Sequence, residues 1–140
     1  MMKTINIRVR DTLIPKLLNH AGFMGNLEGL VSIKEEGKGD VLILKISGRL
    51  DAVSSPPAER KVFDYINSGQ HKLLLDFSGV DYLSSAGLRM LLSVTKKLKT
   101  LSGKIVLFSV TMNVMDVLKM SGFDHVLEFA KTEEDGLRRF

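Results

Sequence analysis

The strongest structural signal in the chain lies in residues 72–92, which read KLLLDFSGVDYLSSAGLRMLL. The apolar run Leu73–Phe77 ends at a Ser-Gly pair and predicts a buried strand. Ser84 and Ser85 then open an amphipathic helix, because hydroxyl side chains are favoured at helix N-termini. A short turn with polar side chains is predicted between the two elements: Asp76, Ser78 and Asp81. A serine at a helix N-terminus, just past the carboxyl end of a strand, lies where α/β proteins commonly place their sites.

Strand and helix patterns alternate around this stretch, from residue 41 onward. Strands are predicted at 30–35, 41–46, 104–110 and 126–129, and helices at 56–67, 85–101, 114–118 and 133–140. Each strand-helix-strand unit is long enough for a right-handed crossover, which favours parallel pairing. The Gly37–Asp40 connection instead predicts a hairpin. The predicted fold is therefore α/β, a small mixed, mostly parallel β-sheet with an N-terminal antiparallel hairpin strand and covering α-helices.

The first 28 residues do not follow this alternation. Ile5, Ile7 and Val9 alternate with polar residues, which is a weak strand signal, and a proline and two glycines interrupt the residues after Val9. Three interpretations stay open: an added edge strand, a mobile arm, or a remnant of cloning. The predicted organisation is an N-terminal extension at residues 1–28 and one folded domain at residues 29–140.

Length and composition exclude several classes of protein. At 140 residues with 44% hydrophobic residues, the chain forms one domain with a proper core. It has no cysteine, which excludes disulfides, thiolate zinc sites and cysteine nucleophiles. The three histidines lack metal-ligand spacing and no cofactor motif is present, so neither a metal nor a cofactor is expected. Without an apolar run of membrane-spanning length or a signal-peptide pattern, a cytoplasmic protein is expected.

The formal net charge of +4 raises the question of nucleic-acid binding. The basic residues of the predicted helix at 85–101 account for this excess: Arg89, Lys96, Lys97 and Lys99. They lie between apolar positions on a helical period, as on the solvated face of a helix, and no aromatic residue lies among them. We therefore expect no nucleic-acid partner.

The serine pair invites an enzymatic interpretation, which the surrounding residues contradict. A hydrolase nucleophile elbow reads Gly-x-Ser-x-Gly; Gly87 follows Ser85 at the right spacing, but Leu83 occupies the position of the first glycine. The Gly-x-x-x-x-Gly-Lys-Ser/Thr pattern of a phosphate-binding loop is absent. An enzyme is therefore not expected. From the residues alone, Ser84 or Ser85 either is functional or only caps the helix, a contribution of about 1 kcal/mol.

Three segments in order carry a resemblance to a known family: Gly48–Asp51 (GRLD), Leu74–Val80 (LLDFSGV) and Tyr82–Arg89 (YLSSAGLR). Together they resemble the STAS domain, and more narrowly the bacterial anti-sigma factor antagonists. The later segment Val114–Phe123 and the acidic pair that begins at Glu133 fit the same pattern. The resemblance covers residues 29–140 with order and spacing kept, and three ordered motifs are more specific than any one of them.

The resemblance implies a partner-switching regulator that is not an enzyme. Unphosphorylated members bind an anti-sigma factor that is also a serine kinase of the GHKL ATPase type, which frees the sigma factor. The kinase then phosphorylates one serine of the antagonist, and a metal-dependent serine phosphatase reverses the modification. When the sequence is aligned on Gly87 and Leu88, Ser85 takes the acceptor position. Ser84 replaces a family aspartate and is the competing acceptor.

The resemblance also implies a partner-binding surface around the acceptor serine. Its predicted members are Asp51, Ser78, Ser84, Ala86, Gly87, Arg89, Met90 and Met112. Ala86 and Gly87 are small enough to let a kinase approach the backbone, and Met90 is expected to be exposed and to suit an adaptable contact. From the residues alone, Asp51 and Asp76 are also explained as caps of the turns after them.

A phosphoryl group on Ser85 is compatible with the predicted fold, because free N–H groups and the helix dipole favour an anion at a helix N-terminus. A partner docked there would face about −1.5 to −2 additional charge. Two alternatives stay open: a STAS module with another binding role, such as secretion regulation or a ligand- or lipid-linked partner domain, and an unrelated enzyme. A pull-down that recovers a serine kinase separates the antagonist from the other STAS roles.

Overall fold

The computed structural model describes residues 2–7 and 31–140. The elements in these ranges are β1 (Met2–Ile7), β2 (Val31–Lys38), β3 (Val41–Leu50), α1 (Ser55–Asn67), β4 (Lys72–Leu83), α2 (Ser85–Thr100), β5 (Lys104–Phe108), α3 (Met112–Met120), a 3-10 turn (Phe123–His125), β6 (Glu128–Ala130) and α4 (Glu133–Leu137). The strands form one six-stranded sheet in the order β1-β2-β3-β4-β5-β6. β2 pairs antiparallel with β1 and β3, and the other neighbours are parallel. The predicted mixed, mostly parallel α/β sheet is confirmed.

The central strand β4 builds the core because its side chains alternate between the two faces of the sheet. Leu73, Leu75 and Phe77 are buried in the larger core, under α1, α2 and α3. The helix residues of that core are Ala58, Val62, Ile66, Met90, Leu91, Val94, Leu98, Val114 and Leu118. Leu74 points to the opposite face, where α4 covers a smaller core. The helices thus cover both faces, which explains why the strand reads as a continuous apolar run.

Strand β4 is longer than its apolar run, so the predicted turn between the run and α2 is wrong. β5 pairs with β4 only over Lys72–Asp76, whereas β3 stays paired as far as Leu83. The register shifts twice, between Lys45 and Ser47 and between Gly48 and Arg49, and at each shift β4 contributes one residue more than β3. The last part of β4 therefore has a neighbour on one side, and polar residues are tolerated there.

The hairpin between β2 and β3 is confirmed, with a shorter turn than predicted. Lys38 pairs with Val41, so Gly39 and Asp40 alone make the connection. Gly39 has φ +62, a backbone conformation that glycine adopts without steric cost. The other boundaries agree to within a few residues, except that the last strand begins at Glu128, after the 3-10 turn that the sequence did not predict.

The N-terminal segment contributes an edge strand in the part that the structure describes. β1 pairs with β2 from Met2 opposite Glu36 to Ile7 opposite Val31. The strand signal at Ile5 and Ile7 is confirmed, while Val9 and the remainder of the predicted extension lie outside the described residues. The domain boundary after residue 28 stays a prediction.

We expect deletion of residues 1–28 to leave a domain that still melts cooperatively, with a small fall in Tm. The larger core of the described residues begins at Val31 and is continuous through Leu127. Thermal melts of the full chain and of residues 29–140, followed by circular dichroism at one pH, test this. Loss of the cooperative transition on truncation would show that the sheet requires β1.

Candidate functional site

The two serines predicted as functional lie where the ends of β3 and β4 meet the start of α2. The Ser84 N–H donates to the Leu50 carbonyl oxygen at 2.9 Å, and the Ser84 hydroxyl donates to the same oxygen at 3.0 Å. Ser84 Oγ also accepts a hydrogen bond from the Gly87 N–H, at 3.4 Å. Ser84 therefore caps α2 and attaches it to β3, which settles which of the two serines is the cap.

Ser85 is the first residue of α2, and its side chain is exposed. No side-chain hydrogen bond between described residues uses its hydroxyl, in contrast with the hydroxyl of Ser84. The site thus contains one serine that caps the helix and one whose hydroxyl is exposed and makes no hydrogen bond to a described residue. Any anion attached to Ser85 lies at the positive end of the helix dipole, beside N–H groups of the first turn.

The Asp51 loop lies directly beside this serine pair, because Ser84 is bonded to the residue that precedes Asp51. Asp51 Oδ1 accepts hydrogen bonds from the N–H groups of Val53 and Ser54, both at 3.0 Å. The Ser54 hydroxyl donates to the Arg49 carbonyl oxygen and accepts from the Asp51 N–H at 3.0 Å. The interpretation of Asp51 as a turn cap is confirmed, and its predicted role in partner binding stays a prediction.

Asp76 also acts as a local cap. Its Oδ1 accepts a hydrogen bond from the Ser78 N–H at 2.9 Å, across the point where β4 loses its pairing with β5. Ser78 itself is exposed on β4. The Asp76 carboxylate therefore stabilises the backbone near the site, and Ser78 remains available to a partner.

Exposed apolar side chains lie on the same edge of the sheet, and two of them were not predicted. The Arg49 guanidinium stacks over the Tyr82 ring, 4.1 Å from its centroid, because the two residues are cross-strand partners on β3 and β4. Val53, Tyr82 and Met112 are all exposed. Met112 begins α3, whose N-cap residue Thr111 donates to the Val80 carbonyl oxygen at 3.1 Å. Extending the predicted strands β3 and β4 until Arg49 pairs with Tyr82 would have placed Tyr82 at this edge of the sheet.

Met90 does not belong to the partner surface, contrary to the prediction. It is 1% exposed and packs in the larger core. The buried stripe of α2 consists of Gly87, Met90, Leu91, Val94, Thr95 and Leu98. Leu101, at the end of the helix predicted at 85–101, is exposed instead. Since apolar residues lie on more than one side of this helix, the sequence alone does not determine which side faces the sheet.

Gly87 is buried as well, so its predicted role in the approach of a partner is wrong. A Cβ atom on Gly87 would lie 2.5 Å from Leu83 Cδ1 and 2.9 Å from the Leu50 carbonyl oxygen. Its lack of a side chain allows the first turn of α2 to lie against the ends of β3 and β4. The predicted surface residues that are at least partly exposed are Asp51, Ser78, Ser84, Ala86, Arg89 and Met112.

The basic face of α2 agrees with the sequence prediction. Arg89, Lys96 and Lys99 are exposed, and Lys97 is half-buried. In residues 2–7 and 31–140, no three histidine or carboxylate side chains are placed to hold a metal ion. None of the helices described there is long and apolar enough to cross a membrane.

The family model of the STAS domain matches residues 32–136, three quarters of the chain. The chain therefore belongs to the STAS domain family, as its three ordered motifs indicate. STAS anti-sigma factor antagonists are regulatory binding proteins and not enzymes.

Relatives with related names support the same assignment. BtrV of Bordetella bronchiseptica, which carries the name of an anti-sigma factor antagonist, is 30% identical over 100 residues, 71% of this chain and 86% of BtrV. An anti-sigma factor antagonist from Mycobacterium paratuberculosis superimposes with a TM-score of 0.71 at 23% identity, over 78% of this chain and 92% of that one. The Bacillus cell fate determinant SpoIIAA, in its phosphorylated form, gives 0.60 at 20% identity, over 76% and 97%. These structures confirm the fold.

Proposed function

We propose that this STAS domain is an anti-sigma factor antagonist. Its unphosphorylated form binds an anti-sigma factor that is a GHKL-type serine kinase, and this binding releases the sigma factor in the cytoplasm. The name and 30% identity of BtrV support the class of protein. The observation that supports the proposal is the difference between two adjacent serines: the partly buried Ser84 makes the capping hydrogen bonds, and the exposed Ser85 has an unbonded hydroxyl.

Phosphorylation of Ser85 switches this binding off. The transfer forms an Oγ–P bond and breaks the β–γ phosphoanhydride bond of ATP, with release of ADP and a proton. The new group adds about −1.5 to −2 charge at the centre of the surface. Because Ser84 and not Ser85 makes the capping bonds, the modification removes no bond that holds α2 to the sheet. A metal-dependent serine phosphatase restores the binding form.

The exposed apolar side chains beside Ser85 supply the contact area for the kinase. This surface includes three exposed apolar residues, Val53, Tyr82 and Met112. It also includes the polar residues Asp51 and Arg89. Aromatic residues and methionine are enriched in the central part of interfaces, and charged residues at the rim. A phosphoryl group placed among them loses its hydration when the partner docks, so the phosphorylated form binds the partner more weakly.

Reconstitution tests this function. The complex of the anti-sigma kinase and its sigma factor is mixed with the unphosphorylated protein, and free sigma factor is measured by size-exclusion chromatography. We expect release by the unphosphorylated protein and none by the protein phosphorylated on Ser85. If the protein binds no anti-sigma factor and a pull-down recovers no serine kinase, the chain has another STAS binding role and the proposal is wrong.

Met112→Ala should weaken kinase binding by about 1 kcal/mol, roughly fivefold in Kd, without a change in Tm. Met112 is 79% exposed at the start of α3, on the edge that carries Ser85. Met120→Ala is the matched control, because Met120 is 89% exposed at the other end of the same helix. Calorimetric titration of both variants measures the difference. Equal affinities would remove α3 from the interface.

A further inference from the structure

An open cleft of about 310 Å³ separates the start of α1 from the start of α2. The residues that line it are Ser55, Pro56, Glu59, Arg60, Ala86 and Arg89. Ala86 immediately follows Ser85, so the cleft opens beside the proposed phosphorylation site. Ala86 and Arg89 also belong to the predicted partner surface, whereas Ser55, Pro56, Glu59 and Arg60 have no role in it.

Positive charge dominates the cleft. Neither α1 nor α2 has an acidic residue in its first turn. Asp51 lies just before α1, where its Oδ1 accepts from the Ser54 N–H, and the start of α2 has no acidic residue in its first turn to offset the helix dipole. Within residues 31–140, the guanidinium groups of Arg60 and Arg89 take part in no ion pair. Glu59 is the single carboxylate of the lining. These features favour an anion over a cation or an apolar group.

Ser55 gives a second and independent indication of a ligand. It is 2% exposed, and its Oγ has no hydrogen-bond partner among the described residues. The preceding residue, Ser54, is equally buried but fully bonded to the Asp51 turn. Buried hydroxyl groups are nearly always satisfied, so an unpartnered one that lines a cleft points to a polar group bound there, directly or through water.

The spacing of Ser85 and Arg89 identifies which anion the cleft can receive. Residues four apart are neighbours on a helix surface, and long side chains lean toward the helix N-terminus. The Arg89 side chain therefore extends toward Ser85. A guanidinium group binds phosphate oxygens through two parallel hydrogen bonds, and Arg60 approaches from α1 on the other wall of the same cleft.

We propose that this cleft is a phosphoryl-binding site, in which Arg89 and Arg60 bind the phosphoryl group carried by Ser85. The inference rests on the proposed phosphorylation of Ser85 and adds how the protein holds the modified side chain. The arginines stabilise the dianion over the monoanion, so the phosphorylated form carries its full negative charge at neutral pH. Two carboxylates oppose them: Glu59 in the cleft, and Asp51, whose Oδ1 is already bonded to its turn.

The test needs no kinase, because phosphoserine can be incorporated at position 85 during translation. The second pKa of the phosphoryl group is then measured by ³¹P NMR between pH 4 and 8. Free phosphoserine titrates with a pKa of about 6. We expect a value about one pH unit lower in the folded protein, since an opposite charge at hydrogen-bonding distance favours the ionised form. Arg89→Gln should raise the pKa again, Arg89→Lys should give an intermediate value, and Glu59→Gln should lower it further.

Lys96→Gln is the matched control, because it removes one exposed positive charge from the same helix, about 16 Å from Ser85 at 1.5 Å per residue. Its phosphoserine should titrate as in the wild-type protein. If Arg89→Gln and Lys96→Gln give the same pKa, the cleft does not bind the phosphoryl group and the inference is overturned. A kinase that fails to modify Ser85 would contradict the proposed function alone, since the NMR result does not depend on it.

Discussion

We expect Ser85→Ala to receive no phosphoryl group from the cognate kinase and ATP, whereas the wild-type protein should gain one and Ser84→Ala should still be modified. The hydroxyl of Ser85 is exposed and unbonded, while that of Ser84 is occupied by the Leu50 carbonyl oxygen and the Gly87 N–H. Loss of the Ser84 cap should cost about 1 kcal/mol of stability and leave the acceptor in place. Intact-mass spectrometry of the three proteins, with peptide mapping of the site, measures the outcome.

The same position should control affinity for the kinase through charge. We expect Ser85→Ala to keep wild-type affinity and Ser85→Asp to raise Kd at least tenfold, or about 1.4 kcal/mol, because the complex has to desolvate an added negative charge. Aspartate carries less charge than phosphate, so this value is a lower bound for the switch. Ser102→Asp, at the other end of α2, adds the same charge on an exposed residue and should bind normally. Labelling of Ser84 together with normal binding by Ser85→Asp would place the acceptor one residue earlier.

Gly87→Val should destabilise the whole domain, by about 3 kcal/mol on the scale of overpacked cores. The added Cβ meets the Leu50 carbonyl oxygen at 2.9 Å, and this atom belongs to backbone that also anchors Ser84. The rigid strand end cannot yield as a flexible side chain would. Urea denaturation at 25 °C measures the free energy of unfolding.

A matched pair of smaller changes isolates the steric cause. Gly87→Ala adds the clashing Cβ alone, and Gly37→Ala adds a Cβ with no atom within 4 Å. We expect clear destabilisation from the first and a near-neutral effect from the second. A Gly87→Val protein as stable as the wild type would show that α2 can move away from β3 at no cost, and that close packing of the two elements is not required.

The sequence predicted the elements whose signals are local. The Leu73–Phe77 run and the hydroxyl pair before α2 each depend on neighbours a few residues away, and both elements are confirmed. The end of β4 was missed because its pairing depends on β3, more than 30 residues earlier, and because β4 has one extra residue at each of the two register shifts. The predicted exposure of Met90 was wrong. Leu88, Met90 and Leu92 are all apolar, and only packing determines which of them is fully buried.

The site shows the same division between local and distant information. Ser84 and Ser85 are equally good capping residues, and the Leu50 carbonyl oxygen, 34 positions away, assigns the cap to Ser84. Asp51 and Asp76 were understood as caps because their partners lie two or three residues ahead. The cleft between Arg60 and Arg89 results from the packing of α1 against α2, so no sequence pattern contains it.

The two hydrogen bonds from Ser84 to one carbonyl oxygen of β3 have a consequence for the timing of the signal. Under the proposed switch, the modified residue is Ser85, on a helical turn that the bonds of Ser84 hold in place, so adding or removing phosphate would require no slow rearrangement of the domain. The conformation of such a regulator does not depend on its earlier phosphorylation state. Its response time is then set by the turnover of the kinase and the phosphatase, and the fraction in each form tracks their balance directly.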